Sequence, residues 1–226
     1  MTVRDGQPVW FELTTEDPAA AADFYAAIAG WRIASSPVAE HGGYRIAEAG
    51  AGTGAVAGIM APPPGGGFPG WSVYFASRDV DAAAERVTAL GGRLLFGPMD
   101  IPQVGRFATV ADPQGVPFTL MSGDSAESPT AFRLDPGAVG HGVWTELASP
   151  DPDAAFAFYG ALFGWEKAGA MPMGDMGEYA FIGDGEARPG AVMSSTLSGA
   201  PACGNGMCRW RISMPRWRRR PPMAAP

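Results

Sequence analysis

The pentapeptides "VWFEL" (9–13) and "VWTEL" (143–147) each place a glutamate two residues after a tryptophan. In an extended strand, residues i and i+2 share a face, so Trp10 and Glu12 point one way and Phe11 and Leu13 the other. A carboxylate held on an enclosed, aromatic face is disfavoured as an anion. Its pKa rises, and it can serve as a base or hold a cationic ligand. Glu12 is therefore the candidate catalytic residue, with Glu146 as its repeat mate. The competing reading is structural: a glutamate that accepts from backbone N–H groups or pairs with an arginine where two repeats join. Recurrence in both halves suits that role. The other groups able to do chemistry are isolated. His41 lies in a polar loop and His141 precedes a strand, and neither has a His or Cys partner at helix or strand spacing. Both read as solvated or structural. Cys203 and Cys208 have no second pair to complete a zinc site.

The elements that position Glu12 are set by a repeat. Residues 9–31, "VWFELTTEDPAAAADFYAAIAGW", return at 143–165 as "VWTELASPDPDAAFAFYGALFGW", with 13 identities in 23 positions and no gap. Each copy reads as a strand, then Asp17-Pro18 or Asp151-Pro152 opening a helix, then Gly30 or Gly164 closing it. Helical spacing predicts that Ala21, Phe24, Tyr25 and Ile28 are buried. Tyr25, Trp31, Tyr159 and Trp165 read as core. Three short strands are expected after each helix, at 31–36, 43–48 and 54–60, and at about 165–169, 178–182 and 189–194. The intervening "MPMGDMGEY" (171–179) reads as either a lid or an ordinary loop. A weaker unit of the same kind spans 71–123: a strand at 71–77, a helix opened by Asp79 or Asp81, a stop at Gly91-Gly92, and three strands, with "DPQG" (112–115) as the last turn. Residues 124–139 read as a linker.

Composition narrows the class. Apolar residues make up 46% and charged residues 17%, which suits a globular protein. No apolar run approaches the roughly 20 residues of a membrane span, and the N-terminus has no signal-peptide core. A cytoplasmic protein without membrane partners is expected. Residues 1–200 carry all 23 acids and ten of the 16 bases. Such an acidic body repels phosphate, so nucleic acid is not an expected partner.

A strand, Asp-Pro, "FYxxxxGW" and three further strands, repeated in tandem, resemble the glyoxalase/bleomycin-resistance/dioxygenase superfamily, also called vicinal oxygen chelate proteins. "DPQGVPFTL" (112–120) resembles that family's "DPDGNxIEL" ending. The resemblance implies an α+β fold of tandem βαβββ modules that curl a mixed sheet into a cup. Residues 1–123 would form one complete two-module domain, 124–139 a linker, and 140–200 half of a second domain. In the family the cup typically holds a divalent metal through His or Glu on the first strand and Glu on the last strand of each module. Carried over residue by residue, those positions are Trp10, Ser72 and Trp144 on first strands, Thr119 on the last strand of module two, and Met60 near the last-strand position of module one. None is a strong ligand, so the metal set is expected to be absent. Trp10, Glu12, Met60, Ser72, Tyr74 and Thr119 then make an aromatic pocket with few polar groups, as small-molecule sites have. The expected function is binding of a small apolar or aromatic molecule without cofactor. The alternative is a lyase, isomerase or dioxygenase using a divalent metal on relocated ligands. Family members often pair between chains, so a homodimer is a possible assembly.

The last 26 residues depart from this pattern, with six arginines and no acid. With GC-rich codons, residues 209–217 shifted by two bases read "VADIDAAV", close to "SRDVDAAA" at 77–84. The expectation is that 201–226 is an out-of-frame remnant of a fourth module, without regular docking, leaving Trp144 and Val192 uncovered.

Overall fold

The structure, a computed structural model, describes residues 3–38, 41–50, 54–63, 69–125, 128–135, 137–199 and 201–208. The first unit runs β1 (Pro8–Thr14), α1 (Pro18–Ala29), β2 (Arg32–Ser35), β3 (Arg45–Glu48) and β4 (Ala55–Met60). The second runs β5 (Gly70–Ala76), α2 (Val80–Ala89), β6 (Arg93–Ile101), β7 (Gly105–Ala111) and β8 (Pro117–Gly123). Together they form one eight-stranded mixed sheet, ordered β2-β3-β4-β1-β5-β8-β7-β6. In each unit the first strand pairs in parallel with the last, β1 with β4 and β5 with β8. Antiparallel pairing of β1 with β5 joins the halves.

The third unit runs β9 (Gly142–Ser149), α3 (Pro152–Phe163), β10 (Glu166–Pro172), β11 (Glu178–Asp184) and β12 (Ala187–Ser194), followed by the single turn α4 (Ser195–Ser198). The Met- and Gly-rich segment before β11 contains one 3-10 turn at 174–176.

The helix signals act as their chemistry requires. Asp17, Asp79 and Asp151 each accept from a first-turn backbone N–H, at 2.9, 3.0 and 3.0 Å. Between the two acids that the sequence leaves open for α2, the cap is therefore Asp79. Asp81 lies in the first turn and pairs with Arg106. Gly30 (φ 67°) and Gly164 (φ 80°) close α1 and α3 in the left-handed region.

Three expectations need correction. First, α1 buries Ala22, but Phe24 is 55% and Ile28 46% exposed. In α3 the equivalent of Phe24 is Phe158, which is only 5% exposed. The difference lies in what covers each helix. α3 is seated on the first sheet, where Phe118 packs against Phe158 and Tyr159, and Phe75 against Phe163 and Trp165.

Second, the segment after residue 200 docks regularly where it is described. Cys203–Cys208 forms β13, antiparallel to β9, and completes a five-stranded sheet ordered β10-β11-β12-β9-β13. Two-sided pairing satisfies the N–H and C=O groups that β9 would otherwise leave open on that edge. Residues 209–226, which carry all six arginines of the ending and the frame-shift reading, lie outside the described residues. Third, Val192 is buried to 1% exposure rather than uncovered.

The segment between the sheets is packed as well. Ala131, Phe132, Ala138 and His141 are buried, and Phe132 lies 6.5 Å from Phe11. His141 Nδ1 hydrogen-bonds the Thr130 carbonyl at 2.5 Å, a structural use of the ring.

Candidate functional site

Alternation along β1 sends Phe11 and Leu13 into the core clusters and turns Trp10 and Glu12 to the opposite face of the sheet. Strand pairing then brings most of the expected pocket together. Glu12 stands opposite Ser72, Trp10 opposite Tyr74, and Tyr74 beside Thr119. Met60, on β4, pairs with Thr14, one step further along the same face.

Among the described residues, Glu12 is bound by neither backbone nor arginine. Its two carboxylate oxygens each accept from a tyrosine: Tyr74 Oη donates to Oε1 at 2.7 Å and Tyr44 Oη to Oε2 at 2.9 Å. Trp10 Nε1 donates in turn to Tyr44 Oη at 2.9 Å. On the other side the Thr119 hydroxyl bonds to Tyr74, and Thr119 and Thr109 oxygens lie 3.3 Å apart. The result is one hydrogen-bonded line across this face of the sheet, from β7 through β8 and β5 to β1. Its carboxyl member, Glu12, has only neutral donors beside it among the described residues.

Burial pushes the Glu12 carboxyl above its ordinary range, and the tyrosine hydrogen bonds partly offset this. Burial first, then the charge of Glu12, holds the hydroxyls of Tyr44 and Tyr74 well above the usual tyrosine value. The site thus keeps its phenols protonated and makes a proton on Glu12 easier to retain.

Tyr44 was not among the residues expected here. It immediately precedes β3, and its hydroxyl lies directly over Gly58, where a Cβ would come within 1.7 Å of it. The sequence signal was a single shared residue: the tyrosine that precedes β3, Tyr44, has a counterpart in Tyr179 of β11. The third unit accordingly builds the same relay. Trp144 Nε1 donates to Tyr179 Oη at 2.7 Å, and Tyr179 donates to Glu146. Met207 holds the register position opposite Trp144 that Tyr74 holds opposite Trp10, so no tyrosine stands there to give Glu146 a second hydroxyl. His41 packs edge-on to Tyr44, with ring centroids 6.5 Å apart, and its Nδ1 bonds Ser36 Oγ at 2.8 Å. Its buried Nε2 has no partner among the described residues.

A divalent metal does not fit this donor set. The family's ligand positions hold Trp10, Ser72, Thr119 and Met60, which offer an indole, two neutral hydroxyls and a thioether. A hard or borderline cation needs several carboxylates or imidazoles. Glu12 is a lone carboxylate, and its phenolic neighbours resist becoming phenolates. No three His, Cys, Asp or Glu side chains cluster among the described residues.

Residues 7–120 match the family model described as glyoxalase/bleomycin resistance protein/dioxygenase superfamily. The chain is 42% identical over 202 residues to the putative glyoxylase CFP32 of Mycobacterium bovis, an overlap covering 88% of this chain and 75% of that protein. It is 39% identical over 177 residues to the anthracycline biosynthesis protein DauV of Streptomyces sp. strain C5, covering 72% of this chain and 62% of that one. Among solved structures, the Mn(II)-bound glyoxalase from Novosphingobium aromaticivorans superposes with a TM-score of 0.60 at 20% identity, over 85% of this chain and 63% of its own. The chain thus spans less than two thirds of DauV and of that glyoxalase. Its tandem βαβββ sheets and these matches define a glyoxalase-like α+β protein. The chain belongs to the glyoxalase/bleomycin resistance/dioxygenase superfamily. None of its described helices is long and apolar enough to cross a membrane.

Proposed function

We propose that the first cup binds a small apolar or aromatic molecule without a metal. The observation that supports this reading is the set of hydrogen bonds around Glu12. A lone carboxylate is held by two tyrosine hydroxyls at 2.7 and 2.9 Å, beside Trp10, where the family's metal ligands would stand. Aromatic walls supply dispersion and stacking, and the few fixed polar groups orient the ligand. Glu12, with only neutral donors around it, favours a ligand that presents a hydrogen-bond donor or a positive charge. The name of the relative DauV, an anthracycline biosynthesis protein, is in keeping with a ring-bearing ligand. In this reading the protein acts in the cytoplasm on a small molecule, and neither nucleic acid nor membrane is a partner.

The test is a titration of intrinsic tryptophan fluorescence with a panel of planar aromatic compounds, half of them bearing an amine. Binding with one site per chain is expected, weakened about tenfold (~1.4 kcal/mol) by Trp10→Ala. Absence of saturable binding across the panel, or affinity that appears only after a divalent metal is added, would overturn the reading.

A further inference from the structure

The third unit carries a chemical surface of its own, apart from the site around Glu12. Trp144 and Glu146 share one face of β9, while Thr145 and Leu147 are buried on the other. Strand pairing sets Ala191 of β12 beside Glu146, and Phe181 of β11 beside Ala191, on that same face. Tyr179, two residues before Phe181, shares it. Ala180 and Ile182, which alternate with them, are buried on the opposite side. Trp144, Glu146, Tyr179 and Phe181 are each half-buried, so solvent reaches all four.

The three rings form a corner. Trp144 and Tyr179 lie nearly parallel, with planes 12° and centroids 6.4 Å apart. Phe181 stands across both, at 77° to Trp144 and 84° to Tyr179, with centroids 6.3 and 6.0 Å away. In the first unit the register position of Phe181 is held by Ile46, so no third ring stands there. The carboxylates differ as well. Both oxygens of Glu12 accept from tyrosines. Glu146 Oε1 accepts from Tyr179, but Oε2 accepts from no described residue. No arginine or lysine among the described residues forms an ion pair with Glu146. An open carboxylate oxygen thus lies beside an aromatic corner.

We infer that this face of the third unit is a second binding site, for a small organic cation whose charge sits on an alkylated amine. Ring faces attract a positive charge, and tryptophan does so most strongly. The alkyl groups on the nitrogen pack against Trp144 and Phe181, and its remaining N–H donates to Glu146 Oε2. A neutral aromatic molecule would use the rings and leave the carboxylate unmatched. A metal ion would find one carboxylate and, among the described residues, no cluster of further ligands. The excess of 23 acids over ten bases in residues 1–200 draws cations towards the chain. The inference does not depend on what the site around Glu12 binds.

The test is an NMR titration of the 226-residue chain with protonated 2-(dimethylamino)ethanol, following the ligand's N-methyl resonance. Saturable binding is expected below about 20 mM, weakened about fivefold or more by Glu146→Gln and by Phe181→Leu, and nearly unchanged by Glu12→Gln. The neutral isostere 3-methylbutan-1-ol should bind the natural chain about fivefold more weakly or worse, a comparison that needs no variant to fold. Equal affinity for the amine and its isostere would overturn the inference, as would the absence of saturable binding. So would loss of binding in Glu12→Gln with none in Glu146→Gln. The cation would then occupy the first site alone, and the reading of that site would stand.

Discussion

Tyr74 reaches across from β5 to donate its hydroxyl hydrogen to Glu12 on β1 at 2.7 Å, directly over the antiparallel pairing that joins the two halves of the large sheet. The bond ties chemistry to assembly, since the residue that orients the carboxylate belongs to the other unit. Tyr74→Phe removes one of two donors and leaves a buried oxygen unsatisfied. The expected loss is ~1–3 kcal/mol, or a Tm lower by about 2–4 °C per kcal/mol, measured by thermal denaturation. Tyr74→Phe combined with Glu12→Gln should lose less than the sum of the single changes, because the two share one interaction.

Glu12 also sets a pH dependence. Burial raises its pKa in the folded protein above the ordinary value near 4.5, so the folded state holds the proton more firmly than the unfolded chain does. The stabilisation from that proton is complete below pH 4.5 and disappears as pH rises through the elevated folded-state value. Relative to the Glu12→Gln variant, the natural protein should therefore lose stability on going up through this window. Urea melts of the pair at half-unit pH steps measure it. A difference between the two that is flat from pH 4 to 8 would show that Glu12 titrates normally.

Metal removal gives a separate prediction. With a thioether, an indole and neutral hydroxyls at the family's ligand positions, purified protein should contain well under one equivalent of Zn, Fe, Mn or Ni. Prolonged EDTA treatment should leave its Tm unchanged. Elemental analysis and a melting curve suffice, and a clear drop in Tm on chelation would contradict the donor-set argument.

Gly58→Ala should disturb the hydrogen-bonded line although Gly58 has no polar side chain of its own. The new methyl would occupy the place of the Tyr44 hydroxyl, so the ring must lift and its bonds to Glu12 and Trp10 must lengthen or break. Overpacking of this kind costs ~1–3 kcal/mol. Trp10 fluorescence should shift in the variant, while the exposed Glu48→Gln control leaves it unchanged.

Much of this was legible in the chain because it is written twice. The repeat placed the strands and helices of both copies, and local chemistry fixed their ends: an aspartate to accept first-turn N–H groups and a glycine to turn left-handed. Alternation put Glu12 beside Trp10 on one face of β1. Long-range partners were not legible. Tyr44 sits 32 residues from Glu12 behind a glycine-rich loop, and only strand pairing brings the two together. Phe24 has the spacing of a core residue, yet helical periodicity records only that a face is apolar, not whether anything covers it. The segment at 203–208 looks like a loop in composition, and it becomes a strand because β9 presents an open edge.

The first and third units carry the same Trp–Tyr–Glu relay over different floors. Gly58 lies across from Glu12, and Ala191 lies across from Glu146. Over the glycine, Tyr44 sinks onto the sheet; in the other unit Tyr179 stays stacked on Trp144, with ring planes 12° apart. The position of the relay tyrosine over the sheet is therefore linked to a single residue that supplies no hydrogen-bonding side chain. After duplication, the two halves of such a gene can keep the Trp–Tyr–Glu relay and still diverge in how deeply its tyrosine lies on the sheet.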